Sequence, residues 1–316
     1  MISTKVNFQD SINSLRSKKN ALILSHNYQI PEIQDLANFV GDSLELSIQA
    51  RNADNNLIVF CGVHFMAETV SILAPKKTIL IPDLEAGCSL AETINVEQLR
   101  KWKGKHPEAV VVSYINTSAR IKAESDYCCT SSNAIKIIES IPTNKEILFL
   151  PDLFLGAYIE KMTGRKMHIW PGECHVHAQL TAEKVNNIRD EYPNADLLIH
   201  PECGCVSNVM YDMVNGDISD NKTKILSTGG MVEYTKKSAS KEFIVATETG
   251  IIYQLQKNNP GKKFRPLKDN AICEYMKKIT VEKLYKSLNE EVYRVKVPEE
   301  IAKKAINPIN KMLEIS

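Results

Sequence analysis

The chain has 316 residues, with 39 Lys and Arg against 38 Asp and Glu and a formal net charge of +1. That balance supplies no broad positive field for nucleic acid, and no apolar run approaches the roughly 20 residues a membrane span needs. The amino-terminal stretch MISTKVNFQDSINSLRSKKN has no apolar signal core, so the expectation is a cytoplasmic protein with neither nucleic-acid nor membrane partners. Its eight cysteines are too sparse for a disulfide scaffold and are expected to stay thiols in a reducing compartment.

From the amino terminus, short apolar runs recur, each ending in a polar or glycine-containing junction and each followed by helical spacing. They are ALILS before HNY, LIVFCGV before HFMAET, TILIPD before LEAGCS, AVVVSY before INTS, EILFLPD, MHIW before PGECHVH, DLLIH before PECGC, KILST before GGM and EFIVAT before ETG. Runs of this length alternating with amphipathic segments predict parallel strands covered by helices on both faces, an α/β fold. Ligands of such sheets collect beyond the carboxyl ends of the strands, so the junctions are where chemistry is sought. His26 and Tyr114 lie 88 apart, Tyr114 and His200 lie 86 apart, and Cys88 and Cys174 also lie 86 apart. Three lobes follow, bounded at 1–104, 105–190 and 191–316, the last including carboxyl-terminal helices. PDLEAG at 82–87 and PDLFLG at 151–156 echo each other at a different offset, so the strand rhythm carries more of this argument than the letters. Beyond Pro260, GKKFRPLKDN reads as a basic loop and AICEYMKKITVEKLYKSLNEE as a helical segment. The closing EEIAKKAINPINKMLEIS reads as a helix interrupted or restarted at Pro308.

The cysteines sort by context. Cys61, inside LIVFCGV, reads as a buried core thiol. Cys128 and Cys129 open an expected helix at CCTSSNA, where neighbouring side chains diverge and packing is favoured. Cys203 and Cys205 in HPECGC, with His200, make a zinc site conceivable, but no second ligand pair follows at finger-like spacing. Cys88, Cys174 and Cys273 fall in loops after strands or at helix starts. Three thiolates, one from each lobe, suit a 4Fe-4S cluster with one iron left open, yet the spacing alone leaves this undecided, because no compact iron–sulfur run is present. The chain also lacks both the dinucleotide glycine fingerprint and the Walker phosphate loop.

Taken in order, ILSHNYQIPEIQDLANFVGDSLELS, FCGVHFMAET, DLEAGCSLA, VVSYINTSARIKAESDYCCTSSNA, FLPDLFLGAYI, WPGECHVHAQ, HPECGC, STGGM, ATETGIIYQLQ and NPINKMLE resemble the quinolinate synthase family over nearly the whole chain. The resemblance implies three similar α/β/α lobes with short parallel sheets around a pseudo-threefold axis and a central active-site cavity. It implies a 4Fe-4S cluster held by Cys88, Cys174 and Cys273, whose open iron acts as a Lewis acid. The implied reaction condenses iminoaspartate with dihydroxyacetone phosphate to give quinolinate, phosphate and two waters, with an aspartate-oxidising enzyme as a possible functional partner. Some members carry a C-x-x-C-x-x-C run at the third ligand; here AICEYMKK holds a single cysteine, which removes any disulfide switch there.

On that reading, Tyr28 and Glu202 are the leading acid–base groups, and Tyr114 and His177 complete the catalytic candidates. His26 and His200 hold the triose substrate. Asn116, together with Tyr114 and Glu202, joins the substrate-binding set. Ser43, Ser131, Ser227 and Thr228 sit near expected helix starts, where backbone N–H groups favour phosphate and carboxylate; Ser43 and Ser131 read equally as N-caps. Phe65 and Met66 are expected to form an apolar wall, and His175 to point away from the cavity if His177 points in. Rival readings are another three-lobed 4Fe-4S dehydratase or reductase, and a zinc-bearing sugar-phosphate binding protein built on Cys203, Cys205 and His200.

Overall fold

The computed structural model describes residues 7–215 and 222–315. Its strands form three separate sheets of four, and every pairing within them is parallel. The first sheet holds β1 (Ala21–His26), β2 (Phe39–Gly41), β3 (Leu57–Cys61) and β4 (Thr78–Leu80) in the order β2-β1-β3-β4. The second holds β5 (Val110–Tyr114), β6 (Tyr127–Cys129), β7 (Ile147–Leu150) and β8 (His168–Ile169) in the order β6-β5-β7-β8. The third holds β9 (Asp196–Ile199), β10 (Thr223–Ile225), β11 (Glu242–Ala246) and β12 (Lys263–Pro266) in the order β10-β9-β11-β12. One strand order is thus used three times, as the expected α/β fold of three similar lobes requires.

The central strands are apolar because both of their faces are covered. LIVFC in β3, ILFL in β7 and DLLI in β9 are buried along their whole length. The third-entered strand of each sheet carries one phenylalanine, Phe60, Phe149 or Phe243, and all three are among the largest fully buried side chains. Truncating any of them to alanine would cost about 3–5 kcal/mol through lost burial and the cavity left behind.

Four sequence expectations are corrected by this topology. Cys128 and Cys129 lie in β6, the helix beginning later at Ala134. The stretch expected as a basic loop contains β12, paired with β11 from Glu242↔Lys263 to Val245↔Pro266. The segment after Cys273 is not one helix: a 3-10 turn at Met276–Lys278 precedes the helix Val281–Glu290. Pro308 neither breaks nor restarts the closing helix, which runs Glu299–Glu314. Its buried face of Ala305, Pro308, Ile309, Met312 and Leu313 offsets the backbone bond the proline removes.

The chain divides into two compact units, residues 1–88 with 274–299, and residues 89–273 with 300–316. In the first unit the exposed edge of β4 is closed by chain from far downstream: Ile81 and Tyr293 exchange backbone hydrogen bonds of 2.9 and 3.0 Å, and Val295 N–H donates to Ile79 O at 2.8 Å. Covering an edge in this way removes unpaired donors that would otherwise invite other strands. The second unit contains the whole of the second and third sheets. No described helix is long and apolar enough to cross a membrane.

Candidate active site

In all three sheets, the residues expected to carry chemistry follow the carboxyl ends of strands. The first-entered strands deliver His26 and Tyr28, Tyr114 and Asn116, and His200 and Glu202. The second-entered strands lead to Ser43, Ser131, and Ser227 with Thr228. Of these serines only Ser227 is an N-cap, accepting from Gly230 N–H at 3.1 Å. Ser43 is the first residue of the helix Ser43–Asn52, and the cap is Asp42, which forms a capping box with Glu45. Ser131 lies in the turn before the helix Ala134–Ser140.

Within the second unit these junctions converge on Glu202. Its carboxylate lies 3.0 Å from His177 Nδ1 and 3.7 Å from His200 Nδ1. Asn116 Nδ2 donates to it at 3.3 Å, and Tyr114 is a further hydrogen-bonding partner. Glu202, His177 and His200 are all buried, and the two imidazoles stack at 4.9 Å and 27°. The His177–Glu202 contact is close enough for an ion pair. On its other nitrogen His177 meets Thr247 Oγ1 at 2.9 Å.

Burial alone would neutralise every member of this group. For Glu202 it is overcome by His177, by the His200 ring and by Tyr114, so the carboxyl is held below the usual range. For His177 burial likewise opposes the charge, but Cys174 and Glu202 together outweigh it and its pKa rises. His200 has no such surplus: burial pulls it down to about 4, Glu202 offsets only part of this, and His177 adds to the fall. The arrangement is therefore an imidazolium–carboxylate pair beside a neutral imidazole. The Glu202 backbone N–H points at His200 Nδ1 at 3.4 Å, which puts the ring proton on Nε2, the atom 3.3 Å from Ser131 Oγ. A neutral N–H donor of this kind suits a carbonyl or phosphate oxygen.

Several contributors were not foreseen from sequence. Asp152, two residues beyond β7, is fully buried; one carboxyl oxygen caps the helix Leu153–Thr163 through Leu155 N–H at 2.7 Å, and the other has no hydrogen-bond partner among the described residues. Burial, then the charge of Glu202, raises its pKa well above normal, against the backbone hydrogen bonds of Leu155 and Phe154. Glu248, after β11, is also fully buried and accepts from the backbone of Gly250 at 2.7 Å and of Cys273 at 3.1 Å. Both acids stand at strand ends in PDLF and ATETG, the position that the other candidates occupy. Gly172 in the loop before Cys174 is required by close approach, since a Cβ there would lie 2.4 Å from Pro151 O. His175 bonds Ser89 Oγ at 2.6 Å, whereas His177 faces Glu202.

In the first unit, Tyr28 N–H donates to His26 Nδ1 at 3.2 Å and the two rings meet edge to face at 4.6 Å. The Lys277 ammonium donates to Tyr28 O. Phe65 and Met66 are buried on the helix His64–Leu73.

The eight cysteines separate by burial. Cys61, Cys128, Cys129, Cys203 and Cys205 are buried, whereas Cys88, Cys174 and Cys273 are partly exposed. Burial pushes the Cys128 thiol up to about 12 and those of Cys61, Cys129 and Cys203 far above the normal range, which disfavours the thiolate a metal needs. Cys203 Sγ instead donates to Ala246 O at 3.1 Å. Among the described residues, neither Cys203 nor Cys205 belongs to a group gathered for a metal, which corrects the zinc reading of HPECGC. Cys174 does, with His177 and Glu202, their ligand atoms all within 4.8 Å of one another.

The three partly exposed cysteines share one local fold. Each lies in the loop after the last strand of its sheet. A 3-10 turn begins three residues later, at Ala91, His177 or Met276. A helix follows, capped at Asn95, Thr181 or Thr280. The residue before each cap, Ile94, Leu180 or Ile279, is buried. The sequences CSLAETINVEQL, CHVHAQLTAEKV and CEYMKKITVEKL carry this repeat in their apolar, capping and acidic positions, so the letters alone hold the signal. Three equivalent, accessible thiols fit the donor set of an iron–sulfur centre.

The family model NadA, described as quinolinate synthetase A protein, matches residues 10–314. The chain is 51% identical to the quinolinate synthase of Pyrobaculum aerophilum over 308 residues, covering 98% of this chain and 99% of that one. It is 49% identical to that of Thermus thermophilus over 301 residues, 95% of each. The Mycobacterium tuberculosis quinolinate synthase is 48% identical over 305 residues, 96% of this chain and 87% of that one. With three identically ordered sheets, a polar cluster within the second unit and matches of this length, the chain belongs to the quinolinate synthetase A family, an iron–sulfur-dependent family.

Proposed function

We propose that this chain is a quinolinate synthase, condensing iminoaspartate with dihydroxyacetone phosphate to give quinolinate, phosphate and two waters. The observation that carries the reading is the repeated loop, 3-10 turn and capped helix at Cys88, Cys174 and Cys273, in a chain whose other thiols are buried. These three cysteines are the ligands of a 4Fe-4S cluster. When bound, such a cluster with three protein thiolates supplies a Lewis acid at its fourth iron, which stabilises charge on oxygen as water leaves.

The remaining work falls to side chains. His200 presents a neutral N–H donor to the triose oxygens, and Ser131 stands beside it. His26, Ser43, Ser227 and Thr228 complete the grip on phosphate and carboxylate, with Ser227 at a helix amino terminus, where anions are favoured. Glu202 accepts protons as carbon–carbon and carbon–nitrogen bonds form; His177 balances its charge, and Asn116 and Tyr114 orient it. Tyr28 supplies the second acid–base group. Glu248 fixes the backbone at Cys273 and so aims that ligand. The lobes are bounded at 1–104, 105–190 and 191–316, the protein is cytoplasmic, and an aspartate-oxidising enzyme supplies the short-lived iminoaspartate.

Anaerobic incubation with oxaloacetate, ammonia and dihydroxyacetone phosphate tests the reading by the appearance of quinolinate. Cys88→Ala, Cys174→Ala and Cys273→Ala should each lose iron, brown colour and turnover together, whereas Cys61→Ala should keep all three. An iron-replete, active Cys174→Ala protein would overturn the ligand assignment.

A further inference from the structure

A second gathering of metal-ligating side chains lies at the opposite end of the second sheet from the candidate active site. His106 is the residue after the helix Val96–Lys105, Glu146 immediately precedes β7, and His168 opens β8. All three therefore stand at the amino ends of the strands, whereas Tyr114, Asn116, Ser131 and Asp152 follow the carboxyl ends. One ligand atom from each of His106, Glu146 and His168 lies within 4.8 Å of the other two. Glu146 reaches both imidazoles, 3.2 Å from His106 Nδ1 and 4.0 Å from His168 Nε2, and the two rings approach to 4.1 Å between centroids.

We propose that His106, Glu146 and His168 form a binding site for a zinc-class divalent cation, separate from the iron–sulfur centre. Two imidazoles and one carboxylate are a ligand set that zinc accepts, with a fourth position left to water. Zinc bonds of about 2.0–2.1 Å put tetrahedral ligand atoms about 3.3–3.5 Å apart. Ligand atoms within 4.8 Å of one another need a contraction of at most about 1.5 Å to reach that geometry. The side chains are free enough to make it, at 22%, 59% and 45% exposed for His106, Glu146 and His168.

Their backbones are already fixed. His106 N–H donates to Lys103 O at 2.9 Å, Glu146 O accepts from Val110 N–H at 2.8 Å, and His168 is in parallel register with Leu148. Among the described residues no lysine or arginine takes the Glu146 carboxylate: the neighbouring Lys145 ammonium pairs with Glu108 at 3.8 Å, and Arg165 spends its donors on backbone carbonyls. The carbonyl end of the helix Val96–Lys105 adds a partial negative charge at His106. A bound cation would tie that helix end to the edge strand β8, which stabilises the fold in proportion to occupancy.

The test is equilibrium dialysis of anaerobically prepared, cluster-loaded enzyme against zinc chloride, followed by metal analysis and thermal unfolding. The wild type should bind one zinc per chain more than His106→Gln or His168→Gln, with affinity in those variants lower by about tenfold or more. Magnesium should not occupy the site. Zinc should raise the unfolding midpoint of the wild type and leave those of the variants unmoved, and the variants should match the wild type in quinolinate formation without zinc. Zinc taken up at Cys174 would persist in both variants and so be told apart. Equal stoichiometry and affinity in wild type and both variants, or no extra zinc in the wild type at micromolar concentrations, would overturn the proposal.

Discussion

Two clusters of the same composition, two histidines and one glutamate, stand in the same unit and do different things. His177, His200 and Glu202 are sealed, with Glu202 only 3% exposed, whereas Glu146 beside His106 and His168 is 59% exposed. Water is the difference. In the sealed cluster burial opposes the charge on both imidazoles, whose nearly parallel rings lie 4.9 Å apart; Cys174 and Glu202 raise the pKa of His177 against it, while that of His200 falls. At the rim the same side chains keep their hydration and remain available to an ion from solution. Residue type sets what a cluster is able to do, and burial decides which of those things it does.

The comparison breaks most visibly at its two glutamates. Glu202→Gln keeps the shape but leaves Cys174 as the one anionic partner of His177; turnover should fall about 10²–10⁴-fold and urea stability by about 1–3 kcal/mol. An enzyme that keeps both would show that the sealed pair is not the acid–base centre.

His200 sharpens the comparison through pH. Its folded-state pKa is down to about 4, below the ordinary value near 6.5. The unfolded chain therefore binds the proton more readily, and the stability that the neutral ring contributes is present above about pH 6.5 and lost as pH falls toward about 4. That portion is on the order of 3 kcal/mol. His200→Gln should flatten the dependence of unfolding free energy on pH across this window; an unchanged slope would mean that another group carries it.

The smallest effect belongs to the rim. Glu146→Gln should change zinc-free stability by less than about 0.5 kcal/mol, because an exposed pair is screened by water and salt, and quinolinate formation should be unaltered. A loss near that of Glu202→Gln would erase the distinction between the two clusters.

The strand rhythm is readable in the letters wherever a strand is buried on both faces, because such strands must be apolar along their length: LIVFC and ILFL announce themselves. The strands without such a signature are FVG, YCC and KFRP, which are β2, β6 and β12, three of the six edge strands. They are short, and β2 and β12 are only partly buried, so they need no apolar run and are recognised only once a partner holds their register. Site residues show the same divide. His177, His200, Asn116 and Glu202 stand out as polar groups closing apolar runs, and they meet in space. Asp152 and Glu248 close runs in the same way, yet an acid after a strand is ordinarily a cap, and nothing local marks these two as buried, the first under the charge of Glu202 and the second bonded to the backbone at Cys273.

Alternation of strand and helix, the threefold recurrence of a cysteine ahead of a helix, and the family are all legible in the letters. Those are properties of local pattern, set by steric preference and by which residues tolerate burial. Tertiary structure decided which thiols are accessible, which carboxyls are charged and which histidine keeps its proton. Each of those depends on desolvation and on charges brought together from distant parts of the chain, and neither quantity exists until the sheets have formed.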